Sequence, residues 1–393
     1  MRLFNTMTQR LDAFEPDPIV TLYVCGVTPY DTTHLGHAFS YISFDVLIRF
    51  LRWLGHEVRY TQNVTDIDDD ILRKAREVGI PWDQLGREQT ERFQQDMRDL
   101  NVLPPTHYPR ATAEVPGMIT MIERLLDGGH AYQQGPNVYY ATRTFPTFNA
   151  LSRLNEQTML ARFKETGDSP DDPRKRDPLD FVLWKASAPD EPAWESPWGR
   201  GRPGWHIECS TMATRYLGPT IDIHGGGDDL IFPHHSCEIA QSEAATGEHP
   251  YVRIWMHNGV VRLDGVKMSK SLGNLVMARA LLEQYPPDAI RIYLLQHHYR
   301  SSFDYREHDL LEAVRLAAVL AMRVSGSDAV TPAEESSGAV TDARRHFVTA
   351  MADDLDTPQA LHALQMLAEN PDPAAAEALR ELGSVLGLTF ATI

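Results

Sequence analysis

The sequence predicts an α/β protein whose parallel sheet is split by an inserted segment and followed by a C-terminal helical bundle. Three observations carry this. A β-branched, apolar run at 19–25 is followed by a turn, a helix-periodic stretch and a second strand-like run. A strand resumes at 220–224, beyond a polar stretch rich in Pro, Asp and Arg. From about residue 285 onward the pattern is helical.

Taken in order, residues 19–25 read as a buried strand. Gly26 to Thr33, with Pro29 and Asp31 inside it, reads as a turn. Between His37 and Trp53 the apolar residues Ala38, Tyr41, Ile42, Val46, Ile48 and Leu51 recur at helical spacing, and Gly55 closes the helix. Residues 57–61 make the next strand, completing the opening unit of a parallel sheet. Residues 66–100 are expected to be helical, and 105–200 to be an insertion that is partly loop. Strands are expected at 220–224 and 252–256. Helices are expected over 310–324, 341–353, 358–369 and 373–386, with a Pro/Ser/Glu linker at 330–340.

Composition narrows the class. A chain of 393 residues, 42% hydrophobic, can bury a large core and more than one domain. No run of eighteen apolar residues predicts a membrane span, and Met1 to Asp17 lacks the apolar stretch of a signal peptide. A cytoplasmic monomer is expected. Cys25, Cys209 and Cys237 are too few and too odd for a disulfide framework, so thiols kept for chemistry or metal are expected. The net charge of −17 argues against a protein built chiefly to grip nucleic acid.

Two short constellations point to chemistry. His34-Leu35-Gly36-His37 stands at the strand-to-helix turn. A helix N-terminus presents N–H groups and a positive dipole end to an anion, and Gly36 lets a ligand approach the backbone. Alone, the motif reads equally as two surface histidines. Lys267-Met268-Ser269-Lys270-Ser271 places two lysines on a loop suited to a departing pyrophosphate. Alone, it reads as such a loop or as a solvated turn.

In this order, on a split α/β sheet, the two motifs resemble those of class I aminoacyl-tRNA synthetases. The cysteinyl branch is the closest in likeness, through Cys25 to Thr28, Gln62 to Asp69, Gly201 to Cys209, and Phe232 to His235. The resemblance spans almost the whole chain. It implies a Rossmann-like catalytic domain over 1–290, interrupted at 105–200, and a helical bundle over 291–393 with no anticodon-binding module recognised. It implies ATP with Mg2+ as a substrate, held by His34, Gly36, His37, Asp229, Lys267, Ser269 and Lys270. Of these His34, His37, Lys267 and Lys270 would be catalytic. It implies one Zn2+ on Cys25, Cys209, His234 and Glu238. The residue types agree, since thiolate and imidazole suit zinc and the i, i+4 pair His234 and Glu238 shares a helix face. Cys237, three residues after His234, could compete. Cys25 and Cys209 with Thr65, Trp205 and His224 would also hold the cysteine substrate. A metal that binds the substrate's sulfur would separate cysteine from serine, which an apolar pocket does poorly. The acidic run Asp66 to Asp70 reads as a helix cap.

The acceptor of the activated cysteinyl group has two readings. The main expectation is the amine of glucosaminyl-inositol, as in the mycothiol-pathway ligase, which shares this core. It rests on the chain's end at Ile393, the loop Thr28 to Ala38, and the segments Gly273 to Val276 and Ala352 to Pro358. The alternative is tRNA, as in a cysteinyl-tRNA synthetase, favoured by Glu238 to Ser242 and Asp68 to Ile71. A third reading is a non-catalytic paralogue that senses cysteine or ATP.

Overall fold

The computed structural model describes residues 1–30, 33–268, 272–326 and 338–391. A hairpin of β1 (Arg2–Asn5) and β2 (Arg10–Ala13) precedes β3 (Ile19–Val24). Helix α1 (Leu35–Trp53) returns the chain to β4 (Glu57–Gln62), parallel to β3. Its apolar residues recur every three or four positions and bury Leu35, Phe39, Ile42, Val46 and Phe50. Gly55, at φ 97°, releases the chain from the helix end.

The 66–100 stretch is two helices, α2 (Asp69–Val78) and α3 (Trp82–Asp99). Gly79 ends α2 in the left-handed region at φ 72°, and Pro81 marks the start of α3. The insertion contains more regular structure than its composition suggests. It holds α4 (Ala111–Asp127), β5 (Ala131–Gln134), β6 (Asn137–Tyr140), α5 (Glu156–Glu165) and β7 (Phe181–Ala186). With β8 (Gly201–Pro203), just past residue 200, the strands form an antiparallel sheet in the order β5-β6-β7-β8. Its polar residues work inside. Buried Asp180 accepts from the Tyr132 hydroxyl at 2.7 Å and from the backbone N–H of Thr142 and Asp177 at 2.9 and 3.0 Å.

The main sheet resumes through α6 (Trp205–Leu217), β9 (Ile221–Gly227), α7 (Ser236–Thr246) and β10 (Val252–Asn258). Its order is β10-β9-β3-β4, all parallel. The winding reverses between β3 and β9, so the crevice outside their carboxyl ends is where such a sheet takes ligands. Side-chain alternation sorts the two faces. Val20, Leu22 and Val24 join the core shared with α1 and the C-terminal helices, whereas Tyr23 and Cys25 join the core shared with α6 and the insertion. His224 is in register with Tyr23 and shares its face.

The chain then runs through β11 (Val261–Leu263), β12 (Val266–Lys267), α8 (Ala278–Leu282), α9 (Pro287–Leu295) and β13 (Phe303–Asp304). The bundle is α10 (Glu307–Ser325), α11 (Gly338–Ala352), α12 (Thr357–Glu369) and α13 (Pro373–Val385). Most of the expected 330–340 linker lies outside the described residues. Among the described residues no helix is long and apolar enough to cross a membrane.

Candidate functional site

At the carboxyl end of β3 the structure gathers a buried cluster. Cys25, directly after β3, lies 3.9 Å from Cys209 Sγ on α6 and 3.6 Å from Glu238 Oε1 in the first turn of α7. His234 Nε2 is 3.1 Å from the same Glu238 oxygen. The ligand atoms of Cys25, Cys209, His234 and Glu238 all lie within 4.8 Å of one another. A second group, equally compact, replaces Cys209 and His234 with His224 and His235. Two sulfurs, an imidazole and a carboxylate are the donor types that zinc selects, so the residues present fit such an ion. Cys237 is in neither group. It packs into the core between α7 and the insertion, although it is only three residues from His234.

Charge within the cluster is arranged asymmetrically. Burial pushes the Cys25 thiol well up, with the neighbouring Cys209 adding to the shift. Burial opposes ionisation of Cys209 too, but the hydrogen bond from Cys25 and the charge of His234 bring it down to about 6. Two thiols so close ionise together only when a cation sits between them. His234 is held up at about 10 against burial by Glu238 and Cys209. Glu238 is held well below the carboxylate range, against burial, by His224 and His234. Hydrogen bonds and ring contacts behind the cluster fix the His234 imidazole. His234 Nδ1 is 2.9 Å from Nδ1 of His206, which burial and the charge of His234 keep neutral. His234 is therefore the donor there, and its Nε2 faces the cluster. Trp205 stacks on His234 with ring centroids 4.4 Å apart.

His224 has Nε2 on Glu238 Oε2 at 2.9 Å and no exposed surface. The structure thus ties it to the cluster through Glu238 and places it in the second ligand group. Thr65 is buried just past β4, its hydroxyl accepting from Asn63 Nδ2 at 3.2 Å. A cavity of about 740 Å³ opens beyond Trp205, lined by Thr28, Asp68, Arg202, Trp205, His206 and Glu208 among others.

The phosphate-type motifs lie on the other side of the crevice. His34 is the cap of α1, and its Nδ1 accepts from the backbone N–H of Gly36 at 3.1 Å and of His37 at 3.4 Å. That assigns Nε2 as the nitrogen bearing the proton. The His34 and His37 rings stack at 3.7 Å, and a Cβ at residue 36 would meet the His34 ring at 2.9 Å, which accounts for Gly36. The motif is docked on the chain that follows the lysine-rich loop, through Leu35 N–H to Val276 O at 2.8 Å and Ala278 N–H to Thr33 O at 2.9 Å. Lys267 Nζ pairs with Asp229 Oδ2 at 3.2 Å. Ser269 and Lys270 lie outside the described residues.

Reading the sequence missed His235, whose Nε2 is 3.4 Å from Cys25 Sγ, and also His206, Asn63 and Glu208. The pair His234-His235 offered a signal, but sequence spacing gives no reason to prefer one ring over the other.

Residues 14–315 match the family model for the tRNA synthetases class I (C) catalytic domain. A cysteine–tRNA ligase of Marinobacter nauticus is 46% identical over 99% of this chain and 85% of the relative. One of Thioalkalivibrio sulfidiphilus is 47% identical, with the same coverage of both. Among solved structures, Mycobacterium tuberculosis methionyl-tRNA synthetase with methionyl-adenylate superposes with a TM-score of 0.67 at 18% identity, over 94% of this chain and 88% of that one. That likeness shows the fold. The expected aminosugar acceptor is overturned by the relatives, which cover nearly the whole chain and are cysteine–tRNA ligases. One segment that suggested the aminosugar has a packing role instead. Asp354 accepts from Tyr299 at 2.7 Å, Arg300 at 2.6 Å and the Phe4 N–H at 2.7 Å, joining the bundle to β1.

Proposed function

The chain belongs to the family of tRNA synthetases class I (C) catalytic domains, and from that premise we propose that it couples L-cysteine to tRNA at the expense of ATP. It is an AMP-forming ligase of the aminoacyl-tRNA synthetase type. The observation that carries the cysteine assignment is the buried pair of thiols with an imidazole and a carboxylate, all within 4.8 Å. Cys25, Cys209 and His234, with Glu238, would hold Zn2+, which when bound would take the substrate sulfur as thiolate and discriminate against the serine hydroxyl.

The chain's own residues have the following roles in this reading. The substrate carboxylate attacks the α-phosphorus of ATP, forming cysteinyl-adenylate and releasing pyrophosphate. His34, with Nε2 as its donor, and His37 offer hydrogen bonds to the phosphates at the start of α1. Lys267 and Lys270 stabilise the charge on the leaving pyrophosphate, and Asp229 orients the nucleotide's ribose. Trp205, stacked on His234, walls the cysteine side of the crevice. A terminal ribose hydroxyl of tRNA then attacks the adenylate carbonyl, giving the cysteinyl ester and AMP. The mechanism is chiefly positioning and charge stabilisation.

The test is a single-turnover chase. Enzyme loaded with radiolabelled cysteine and ATP is offered cysteine-specific tRNA. Label on the tRNA, with no transfer when serine replaces cysteine, is the expected result. Adenylate that forms and never charges tRNA would overturn the acceptor, and absence of cysteine-dependent ATP–pyrophosphate exchange would overturn the activation step.

A further inference from the structure

The two phosphate-type motifs are joined through the backbone. Residues 33–35 and 276–278 form a short antiparallel bridge, with His34 opposite Met277 and the hydrogen bonds Leu35 N–H to Val276 O and Ala278 N–H to Thr33 O. This bridge is the return of the lysine-rich segment, whose base is closed by Asn274 Nδ2 donating to Lys267 O at 3.2 Å. Two backbone hydrogen bonds set the register of such a ribbon but resist pivoting weakly. The element after it is a poor anchor. Helix α8 has five residues, buries Ala278 and Leu281, and has no side-chain hydrogen bond from its cap residue Met277. A helix that short does not hold itself in place.

Arg279, in α8, supplies the missing anchor. It donates from Nε and Nη2 to Asp96 Oδ1 on α3, at 2.9 and 2.5 Å, and its Nη1 is 2.7 Å from Asp99 Oδ2. Asp96 and Asp99 are three residues apart, neighbours on the surface of α3. Asp96 is 2% exposed, and among the described residues its carboxylate is hydrogen-bonded to Arg279 alone. A carboxylate is costly to bury unless it is paired, so Asp96 is explained by the arginine it receives. The same helix braces α1. Phe93, three residues before Asp96, meets Tyr41 of α1 edge-on, with ring centroids 5.2 Å apart. Helix α3 is therefore a common support for α1 and for the segment on which the lysine-rich loop returns.

We propose that Arg279, clamped by Asp96 and Asp99, is a positioning residue for adenylate formation. It holds the return of the lysine-rich segment in fixed relation to the start of α1, so that Lys267 and the His34–His37 turn meet one triphosphate together. The assignment rests on the reading of these two motifs as the ATP site. Arg279 itself touches no phosphate. Its effect falls on the step in which pyrophosphate leaves, and the thiol cluster across the crevice is untouched.

The test is ATP–pyrophosphate exchange by the wild type, Arg279→Gln and Arg279→Lys, with active sites counted from the burst of cysteinyl-adenylate. In Arg279→Gln, kcat per active site is expected to fall roughly 10–100-fold, since a displacement of about 1 Å at reacting groups costs about 100-fold. The KM for cysteine is expected to stay as in the wild type. Arg279→Lys, which keeps the charge and loses the planar fork, is expected to recover part of the rate. Fewer active sites with kcat per site unchanged would make the clamp merely structural and overturn the assignment. A KM for cysteine that rises as far as kcat falls would overturn it too. If Arg279→Gln does not fold, Asp99→Asn decides, since it spares the buried contact with Asp96. A smaller fall in kcat per site at constant KM for cysteine is then expected, and an unchanged kcat overturns the assignment. A wild type without cysteine-dependent exchange would instead overturn the ATP-site reading, and this assignment with it.

Discussion

Arg291 on α9 donates from Nη2 to Asp45 Oδ2 on α1 at 2.6 Å, with both side chains sealed from solvent. The same guanidinium donates to Leu386 O at 2.8 Å and Leu100 O at 2.8 Å. Asp45 also accepts from the Leu103 N–H at 2.9 Å and from Arg49 at 2.9 Å. Helix α1, which carries His34 and His37 at its start, is thereby fastened to the C-terminal bundle. Replacing Arg291 with Met leaves a buried carboxylate and two carbonyls short of donors. The expected cost is about 3–5 kcal/mol, read as a lower urea midpoint, and a change below about 1 kcal/mol would show the pair to be incidental.

Stability is expected to fall with acid before the carboxylates titrate. His257 is buried between His235, at 2.8 Å, and Thr6, at 2.7 Å. Burial, with the charge of His224, lowers its pKa to about 3. In the unfolded chain the value is about 6.5, so between those limits the unfolded state binds more protons. The contribution is complete above the unfolded value and is lost as the pH drops through it, at up to about 1.4 kcal/mol per pH unit. Denaturant titrations from neutral pH downward read this slope, and His257→Gln should flatten it. A slope of opposite sign would mean that the ring is charged in the folded protein.

Much of the frame was legible because it is written in local periods. The strand at 19–25, the helix that follows and the strand at 57–61 are each visible within a short window, and the parity of β3 puts Cys25 on the face of Tyr23. The insertion was less legible, since Asp180 and its neighbours look like loop composition yet act as buried hydrogen-bond centres. The pair Arg291–Asp45 joins segments 246 residues apart and leaves no local trace. His234 and Glu238 were legible as an i, i+4 pair. The opposing partners His206 and His224 come from α6 and β9, and only the assembled fold brings them in.

Lys267 and Asp229 form a half-exposed ion pair at 3.2 Å, and such a pair contributes no more than about 1 kcal/mol to stability. Their removal therefore separates function from folding. Lys267→Ala is expected to slow ATP–pyrophosphate exchange roughly 100–1000-fold, the scale of losing a charge-stabilising donor, with the melting temperature unchanged. Asp229→Ala is expected to raise the KM for ATP and leave that for cysteine alone. An altered cysteine KM in either variant would place these groups on the wrong side of the crevice.

The two remaining thiols near the site make opposite predictions. Cys209 belongs to the first ligand group and is the thiol most readily ionised, at about 6. Cys237 belongs to neither group, and burial pushes its thiol well up. If Cys209 ligates the metal as proposed, Cys209→Ala costs more than the roughly 10–100-fold in metal affinity that losing a hydrogen-bond partner of a ligand costs. Bound zinc, measured by elemental analysis after dialysis, should disappear together with cysteine-dependent exchange. Cys237→Ala should keep both. A wild type that activates cysteine fully without metal, or a Cys209→Ala protein that retains zinc at full occupancy, would remove the metal from this site. In the second case the group of Cys25, His224, His235 and Glu238 would be the one to test next, since it is equally compact.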